Sequence, residues 1–319
     1  MKSTILLTGK TGQVGSELHR LLPQLGEVVA PDRKELDLLD AELIRRTVRD
    51  VQPRLIVNAA AYTAVDEAEK DPVSAHAINA EAVKVLGEEA KRLNAALVHY
   101  STDYVFDGAK GEPYDERDPA NPLNVYGKSK LAGEQAIRDS GVAHLIFRTA
   151  WVYATRGRNF LLTILRLATE REELRIVSDQ IGAPTCALDI AAVTTKVLAD
   201  LYQPSSGAFV FSKVMGGYHL TAAGQTTWCD FAKAILEKAR GASRDLPWLV
   251  EATHGRPIMA RQVIPISTHE FGSSTRRPPY SVLSSAHLTD TFGIVPTDWH
   301  VQLQRCFAPE SAAPKEIMT

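Results

Sequence analysis

Ile5-Leu6-Leu7-Thr8-Gly9-Lys10-Thr11-Gly12-Gln13-Val14-Gly15 is the stretch that decides the fold. Ile5-Leu6-Leu7 is a short apolar run, the pattern of a strand buried in a parallel sheet. It breaks at Gly9, and Gly9, Gly12 and Gly15 follow at spacings of three and three. Beyond them Val14, Leu18, Leu21 and Leu22 recur at helical spacing. A strand that turns through glycines into a helix offers bare backbone N–H groups and close approach to a dinucleotide pyrophosphate. The more familiar fingerprint is GxGxxG, but a bland surface turn rarely needs this density of glycine after a buried strand. Gly9, Gly12, Gln13, Val14 and Gly15 are therefore candidate cofactor residues. A P-loop reading fails, because the glycine that motif requires at position 4 is Thr4.

The same alternation continues outward. Val28-Val29-Ala30 reads as a second strand, ending at Pro31-Asp32. Asp40 suits a helix N-cap, with Leu43, Ile44, Val48 and Val51 as the apolar face. Leu55-Ile56-Val57 is strand again. Asp71-Pro72 starts a helix that carries Ala80, Val83, Leu86, Ala90 and Leu93. Ala96-Leu97-Val98 leads to His99-Tyr100-Ser101, the helix holding Tyr126 stops near Gly141, and His144 to Phe147 is one more strand. Short apolar strands between amphipathic helices predict an α/β fold, a doubly wound parallel sheet of the Rossmann type. Residues 1–170 read as the nucleotide-binding part, with a return to it near 205–235. Residues 171–319 read as a smaller α/β substrate lobe, rich in Pro, Gly and Ser. Gln203 to Gly207, Met215 to Gly217 and Gly272 to Pro279 read as loops, Trp228 to Arg240 as a helix, and the C-terminus as a frayed end.

Asp32 and Arg33 follow the second strand, where a dinucleotide site reads the adenosine ribose. A carboxylate there favours a free 2′-hydroxyl, and a guanidinium accommodates a 2′-phosphate. Both are present, so NADPH is favoured and NADH remains acceptable. Asp37 and Leu38 suit the adenine side. Ala59, Ala60 and Ala61 are small residues at a strand's C-terminal end, where open α/β sheets bind ligands. Tyr126 and Lys130 stand at i and i+4, on one helix face. An ammonium beneath a phenol stabilises phenolate; bringing a Tyr from near 10 towards neutrality takes roughly 3 pH units, about 4 kcal/mol. Thr102 and Asp103 close the apolar run before it. A Ser-His-Asp triad from Ser101, His99 and Asp103 is dismissed, since the three fall within five consecutive residues without GxSxG.

Composition narrows the function classes. The 319 residues are 45% hydrophobic and 23% charged, with a net charge of -2, which is ordinary for a soluble globular protein and gives no field for nucleic acid. Three cysteines without CxxC and nine histidines without ligand spacing suggest neither a disulfide framework nor a metal site. No run is long enough to span a bilayer, and the start is too short for a signal h-region. A reducing cytoplasm is the expected compartment.

The segments Gly9–Gly15, Asn58–Asp66, Ser101–Phe106, Pro122–Gly127, Phe147–Tyr153, Asp179–Thr185, Arg276–Pro278 and Asp298–Trp299 resemble the extended short-chain dehydrogenase/reductases, and among them the dTDP-4-dehydrorhamnose reductases. The resemblance covers nearly the whole chain, substrate lobe included. It implies the last step to dTDP-L-rhamnose, a sugar of polysaccharides such as lipopolysaccharide O antigen: hydride delivery from NADPH to C4 of a nucleotide-linked keto-sugar. It implies Tyr126 as proton donor, Lys130 as the group that lowers the Tyr126 pKa and bonds the nicotinamide ribose, and Thr102 as a hydrogen-bond donor to O4. Thr63 joins the cofactor residues, and Asp103, Tyr104 and Trp151 fall on the substrate. A homodimer is compatible with it. Some relatives hold magnesium at a dimer interface through an acidic residue after Ala-Pro-Thr; Cys186-Ala187-Leu188 stands here instead, which counts against that ion. Val282 replaces a basic residue, and 254–272 reads as an unusual loop.

Two other readings compete, the first of them sharing the glycine turn and Tyr-x3-Lys. Nucleotide-sugar epimerases and dehydratases are one; the dehydratase type resembles Thr-Asp-Glu at the strand end, and this chain has Tyr104 in the Glu position. The regulatory beta subunit of methionine adenosyltransferase is the other, a partner protein that also resembles these reductases. Intact Thr102, Tyr126 and Lys130 argue for catalysis.

Overall fold

The computed structural model describes residues 3–242 and 246–308; the stretch read as a frayed C-terminus lies outside the described residues. Six parallel strands form the central sheet, in the order Gly216–His219, Ala143–Thr149, Ala96–Thr102, Leu55–Asn58, Ser3–Thr8, Gly26–Val29. The chain winds outward from Ser3–Thr8 in one direction and from Leu55–Asn58 in the other, so the switch point lies between those two strands. That is where open α/β sheets leave a crevice at their C-terminal edge.

Both faces are covered, as near-continuous apolar strands require. One face packs Ile5, Leu7, Val57, Val98 and Phe147 against the Gln13–Leu21 and Ala187–Leu201 helices. The other packs Leu6, Ile56, Leu97 and Ile146 against the Ala41–Val51, Ala82–Arg92 and Val125–Ser140 helices. A separate core holds Tyr153, Leu161, Leu165, Phe231, Ile235, Trp299 and Leu303. This second core begins at Tyr153, while Ile190, Leu198 and Tyr218 pack with the central sheet.

Several local readings meet their physical reasons. Asp40 accepts from the Leu43 N–H and Asp71 from the Ser74 N–H, the caps their positions call for. Asn124 caps the Val125–Ser140 helix through the Gly127 N–H, and Gly141 ends it in the left-handed region.

Two loop readings are corrected. Gly216 and Gly217 form a strand, because their backbone pairs with Leu145 and Ile146 at the sheet edge; glycine-rich composition signals a loop, and long-range pairing overrides it. Residues 254–272 likewise contain the Gln262–Ile266 strand, parallel to Glu173–Val177, and a short helix opened by the Ser267/Glu270 capping box.

Candidate active site

A cleft of about 660 Å³ opens along the C-terminal edge of the sheet, from the glycine turn to the second core. Of the residues singled out in the sequence, Gly9, Gly12, Gln13, Val14, Asp32, Arg33, Asp37, Leu38, Ala59, Ala60, Ala61, Thr63, Thr102, Asp103, Tyr104, Tyr126, Lys130 and Trp151 line it. Gly15 does not. A Cβ there would stand 2.0 Å from the Gly9 carbonyl oxygen, so its place is in packing the helix onto the turn.

At the turn, Gly9 holds φ +77°, and a Cβ would meet the Ala59–Ala60 peptide at 2.7 Å. Backbone therefore rides directly on backbone across the switch point. The Gln13–Leu21 helix has Gly12 as N-cap, no side-chain cap and no acidic residue in its first turn. Its first N–H groups face the cleft without an internal acceptor, and the dipole there favours an anion. Nearby, the Gln13 Oε1 is buried without a partner.

The Asp32 carboxylate is engaged in its own turn. It accepts from the Lys34 and Glu35 N–H groups at 2.8 and 3.1 Å, which holds its carboxyl below the ordinary value. Arg33, next to it, is exposed, and no carboxylate of the described residues pairs with it. Asp37 similarly accepts from the Leu39 N–H at 3.0 Å.

At the centre, the arrangement differs from the expectation for Lys130. Its Nζ donates to the Tyr100 carbonyl at 2.6 Å and lies 3.1 Å from the His99 Nε2, with no hydrogen bond to Tyr126. Burial pushes the Tyr126 phenol up to about 12; a hydrogen bond from Thr102 opposes this, and the Asp103 charge adds to it. Lys130 does not depress it here; burial instead brings Lys130 itself down to about 8. Helix spacing put the two side chains on one face but could not give the direction of the lysine tip.

Thr102 ends its strand with its hydroxyl 3.1 Å from Asp103 Oδ1 and accepting from the Tyr104 N–H at 3.2 Å. Burial raises Asp103 to about 6, opposed by hydrogen bonds from Ser281 and Thr102, and its Oδ2 has no partner. The Tyr104 ring meets Tyr126 edge-on at 5.8 Å.

The far wall was only partly legible. Trp151 lies flat on Trp228, centroids 3.5 Å apart, and holds φ +47°, a strained conformation for a bulky residue. Gln180 fixes Trp228 by accepting from its Nε1 at 3.2 Å. Arg277, half-buried beside Tyr104, is held by Asp66 through bonds of 2.9 and 2.8 Å. Trp228, Arg277 and Arg158 line the cleft and were not assigned to it from sequence. Among the described residues no cluster of His, Cys, Asp or Glu is arranged to hold a metal, and no helix is long and apolar enough to cross a membrane.

The family described as RmlD substrate binding domain has a sequence model that matches residues 1–311. The dTDP-4-dehydrorhamnose reductase of Burkholderia thailandensis is 48% identical over 303 residues, 95% of this chain and 97% of that protein. The Escherichia coli protein of the same name is 43% identical over 94% of this chain and 96% of its own length. Among solved structures, the Bacillus anthracis dTDP-4-dehydrorhamnose reductase in complex with NADP superposes with a TM-score of 0.83 at 34% identity, covering 96% of this chain and 99% of that one. A Thermus thermophilus UDP-glucose 4-epimerase shares the fold alone, with a TM-score of 0.73 at 20% identity over 94% of this chain and 96% of its own.

Proposed function

The chain belongs to the RmlD substrate binding domain family, and from that premise we propose that it reduces the C4 ketone of dTDP-4-dehydro-L-rhamnose with NADPH, giving dTDP-L-rhamnose. The observation that carries the reading is one continuous cleft, with an uncapped glycine-turn helix at one end, Thr102, Tyr126 and Lys130 at the centre, and Asp103, Tyr104 and Trp151 beyond. A dinucleotide phosphate fits the first end: no side chain blocks the helix N-terminus, and the Gln13 Oε1 waits without a partner. Gly9, Gly12 and Val14 would hold the pyrophosphate, Ala59 to Ala61 and Thr63 would flank the path of the cofactor, and Asp37 and Leu38 would border the adenine. Arg33, exposed and unpaired among the described residues, supports NADPH over NADH, while Asp32 shapes the turn that presents it. When bound, the cofactor supplies the hydride.

The residues of the chain do the rest. As a carbonyl accepts hydride, charge grows on O4 and needs a proton and hydrogen bonds aimed at it. Tyr126 would give that proton. Buried and protonated, the phenol would release its proton to the oxyanion that forms beside it. Thr102 would donate a hydrogen bond to O4, and Lys130 would hold the nicotinamide ribose. Asp103, with one buried oxygen unpartnered, would take a sugar hydroxyl, and Tyr104 and Trp151 would bound the deoxysugar. Three free cysteines and the nucleotide-sugar chemistry support a cytoplasmic setting.

Among the described residues Asp103 is the one carboxylate lining the catalytic end of the cleft, which favours reduction over dehydration. The test is NADPH consumption with dTDP-4-dehydro-L-rhamnose, against GDP-linked and D-configured 4-keto sugars. One keto-sugar should disappear per NADPH, with no water loss from dTDP-glucose when NADPH is withheld. Robust dehydration, or tightly retained NAD in a protein that ignores NADPH, would overturn the reading.

A further inference from the structure

Behind the catalytic helix runs a chain of buried polar side chains from the glycine-turn strand to Lys130. The Thr8 hydroxyl donates to Asn58 Oδ1 at 2.6 Å, and Asn58 Nδ2 lies 3.0 Å from His99 Nδ1. His99 Nε2 lies 3.1 Å from Lys130 Nζ, which donates in turn to the Tyr100 carbonyl at 2.6 Å. All four side chains are at most 2% exposed. Three side chains from three strands thus end on Lys130 at the cleft centre.

Donor accounting fixes the proton positions. Asn58 Oδ1 accepts twice, from the Thr8 hydroxyl and from the Ala60 N–H at 3.3 Å. The amide NH2 must therefore face His99, and Nδ1 must be the acceptor. A neutral imidazole then carries its proton on Nε2, pointing at Lys130. Burial, with Lys130 beside it, keeps that imidazole neutral by moving His99 well below its ordinary value. Against an Nε2–H an ammonium sets donor against donor, whereas an amine accepts with its lone pair and still donates to Tyr100. The array closes with Lys130 uncharged.

We propose that His99, oriented by Asn58, is a positioning residue for Lys130: it aims the Nζ atom and weakens its hold on its proton in the free enzyme, a hold that a bound ligand restores by offering acceptors in exchange for His99. Charging Lys130 requires the imidazole to move its proton to Nδ1 and the Asn58 amide to turn over, which costs the Ala60 N–H its acceptor. The other groups around Lys130 do not replace this control. On its own helix, Tyr126 is a protonated phenol, and Glu134, paired with Arg148 from the next strand and with Arg138, favours the ammonium but is outweighed by burial. Asp103, beyond the end of the His99 strand, spends Oδ1 on Thr102. From the helix packed alongside, Asn79 bonds Ser129 and is uncharged.

The inference rests on Lys130 belonging to the machinery of the proposed reductase, and its test is separable from that activity. Lys130 is titrated by NMR in the free enzyme labelled at the lysine Cε, and the pH dependence of kcat/KM, which reports free-enzyme groups, is measured in parallel. In the native chain Lys130 should titrate near 8, well below the ordinary value of about 10.4. Asn58→Asp is nearly isosteric and keeps its two donors, but its carboxylate draws the imidazole proton to Nδ1. Nε2 then accepts, and the Lys130 titration should rise by at least about one pH unit, roughly tenfold in the amine-to-ammonium ratio. His99→Gln, which presents a carbonyl oxygen to the amine, should shift it the same way. Native Lys130 titrating at its ordinary value, or a shift absent in both variants, overturns the inference even in an active reductase. A missing keto-sugar reduction alongside the expected shifts would instead count against the function.

Discussion

Two buried charges sit one helical turn apart on the Val125–Ser140 helix, and their surroundings could hardly differ more. Glu134 is fully buried and accepts from Arg148 at 2.9 and 2.7 Å and from Arg138 at 2.8 Å. Burial alone would raise its carboxyl, but Arg148 first and Arg138 later reverse that and hold it at about 2. Lys130 is 1% exposed and touches no carboxylate; its partners are an imidazole and a carbonyl. Desolvation penalises both charges alike, so the partners decide. Glu134 is a fixed charge that ties the helix to the Ala143–Thr149 strand. Lys130 is left near the point where its proton can come and go, the condition expected of a functional group.

Tyr126, one turn before Lys130, sets the largest expected effect on the functional side of that contrast. Tyr126→Phe removes the proposed proton donor and should leave the fold and the glycine turn untouched. General acid catalysis is worth about 10² to 10⁴ in rate, so kcat should fall by that much while KM for NADPH changes little. A loss below about tenfold in steady-state kinetics would move the acid elsewhere.

On the structural side, Glu134→Gln leaves Arg148 as a buried charge without its counter-ion, which typically costs about 3–5 kcal/mol. Chemical denaturation near neutral pH reads this directly. The pH dependence adds a sign. A carboxyl held at about 2 when folded and near 4.5 when unfolded contributes stability that is present above 4.5 and lost as pH falls towards 2. Native and variant stabilities should therefore converge as pH drops through that window. Parallel curves would show that Glu134 is not the fixed charge described.

The contrast also marks what a sequence can and cannot carry. The glycine turn, Asp32-Arg33, Ala59 to Ala61 and the Tyr126/Lys130 pair each lie within one short segment, where spacing alone sets geometry. Glu134 and Lys130 share a helix face, yet nothing local says that Arg148 meets one and His99 the other. Those partners come from neighbouring strands, and sheet register decides them. Trp228 reaches Trp151 across the second core, and Arg277 reaches Asp66 from 211 residues away. The Gly216–His219 strand was hidden for the same reason: its evidence is a pairing with Leu145 to Arg148, not a composition.

Arg33 supplies the third case, a cation in solvent with no carboxylate partner among the described residues. An exposed, unpaired guanidinium neither ties elements together nor is forced from its charged state by burial, so only a ligand can give it work. NADPH carries a 2′-phosphate and NADH does not, and a charge-assisted hydrogen bond contributes about 1.5–3 kcal/mol. Arg33→Ala should therefore weaken NADPH binding roughly tenfold to a hundredfold, the range those energies imply. NADH affinity and the melting temperature should stay nearly where they are, because Asp32 keeps its two backbone hydrogen bonds and the turn survives. Calorimetric titration with each cofactor measures both arms. Equal losses for NADPH and NADH would make Arg33 part of the turn's own structure, and the specificity would then belong to another residue at this end of the cleft, with Lys10 the next cation to remove.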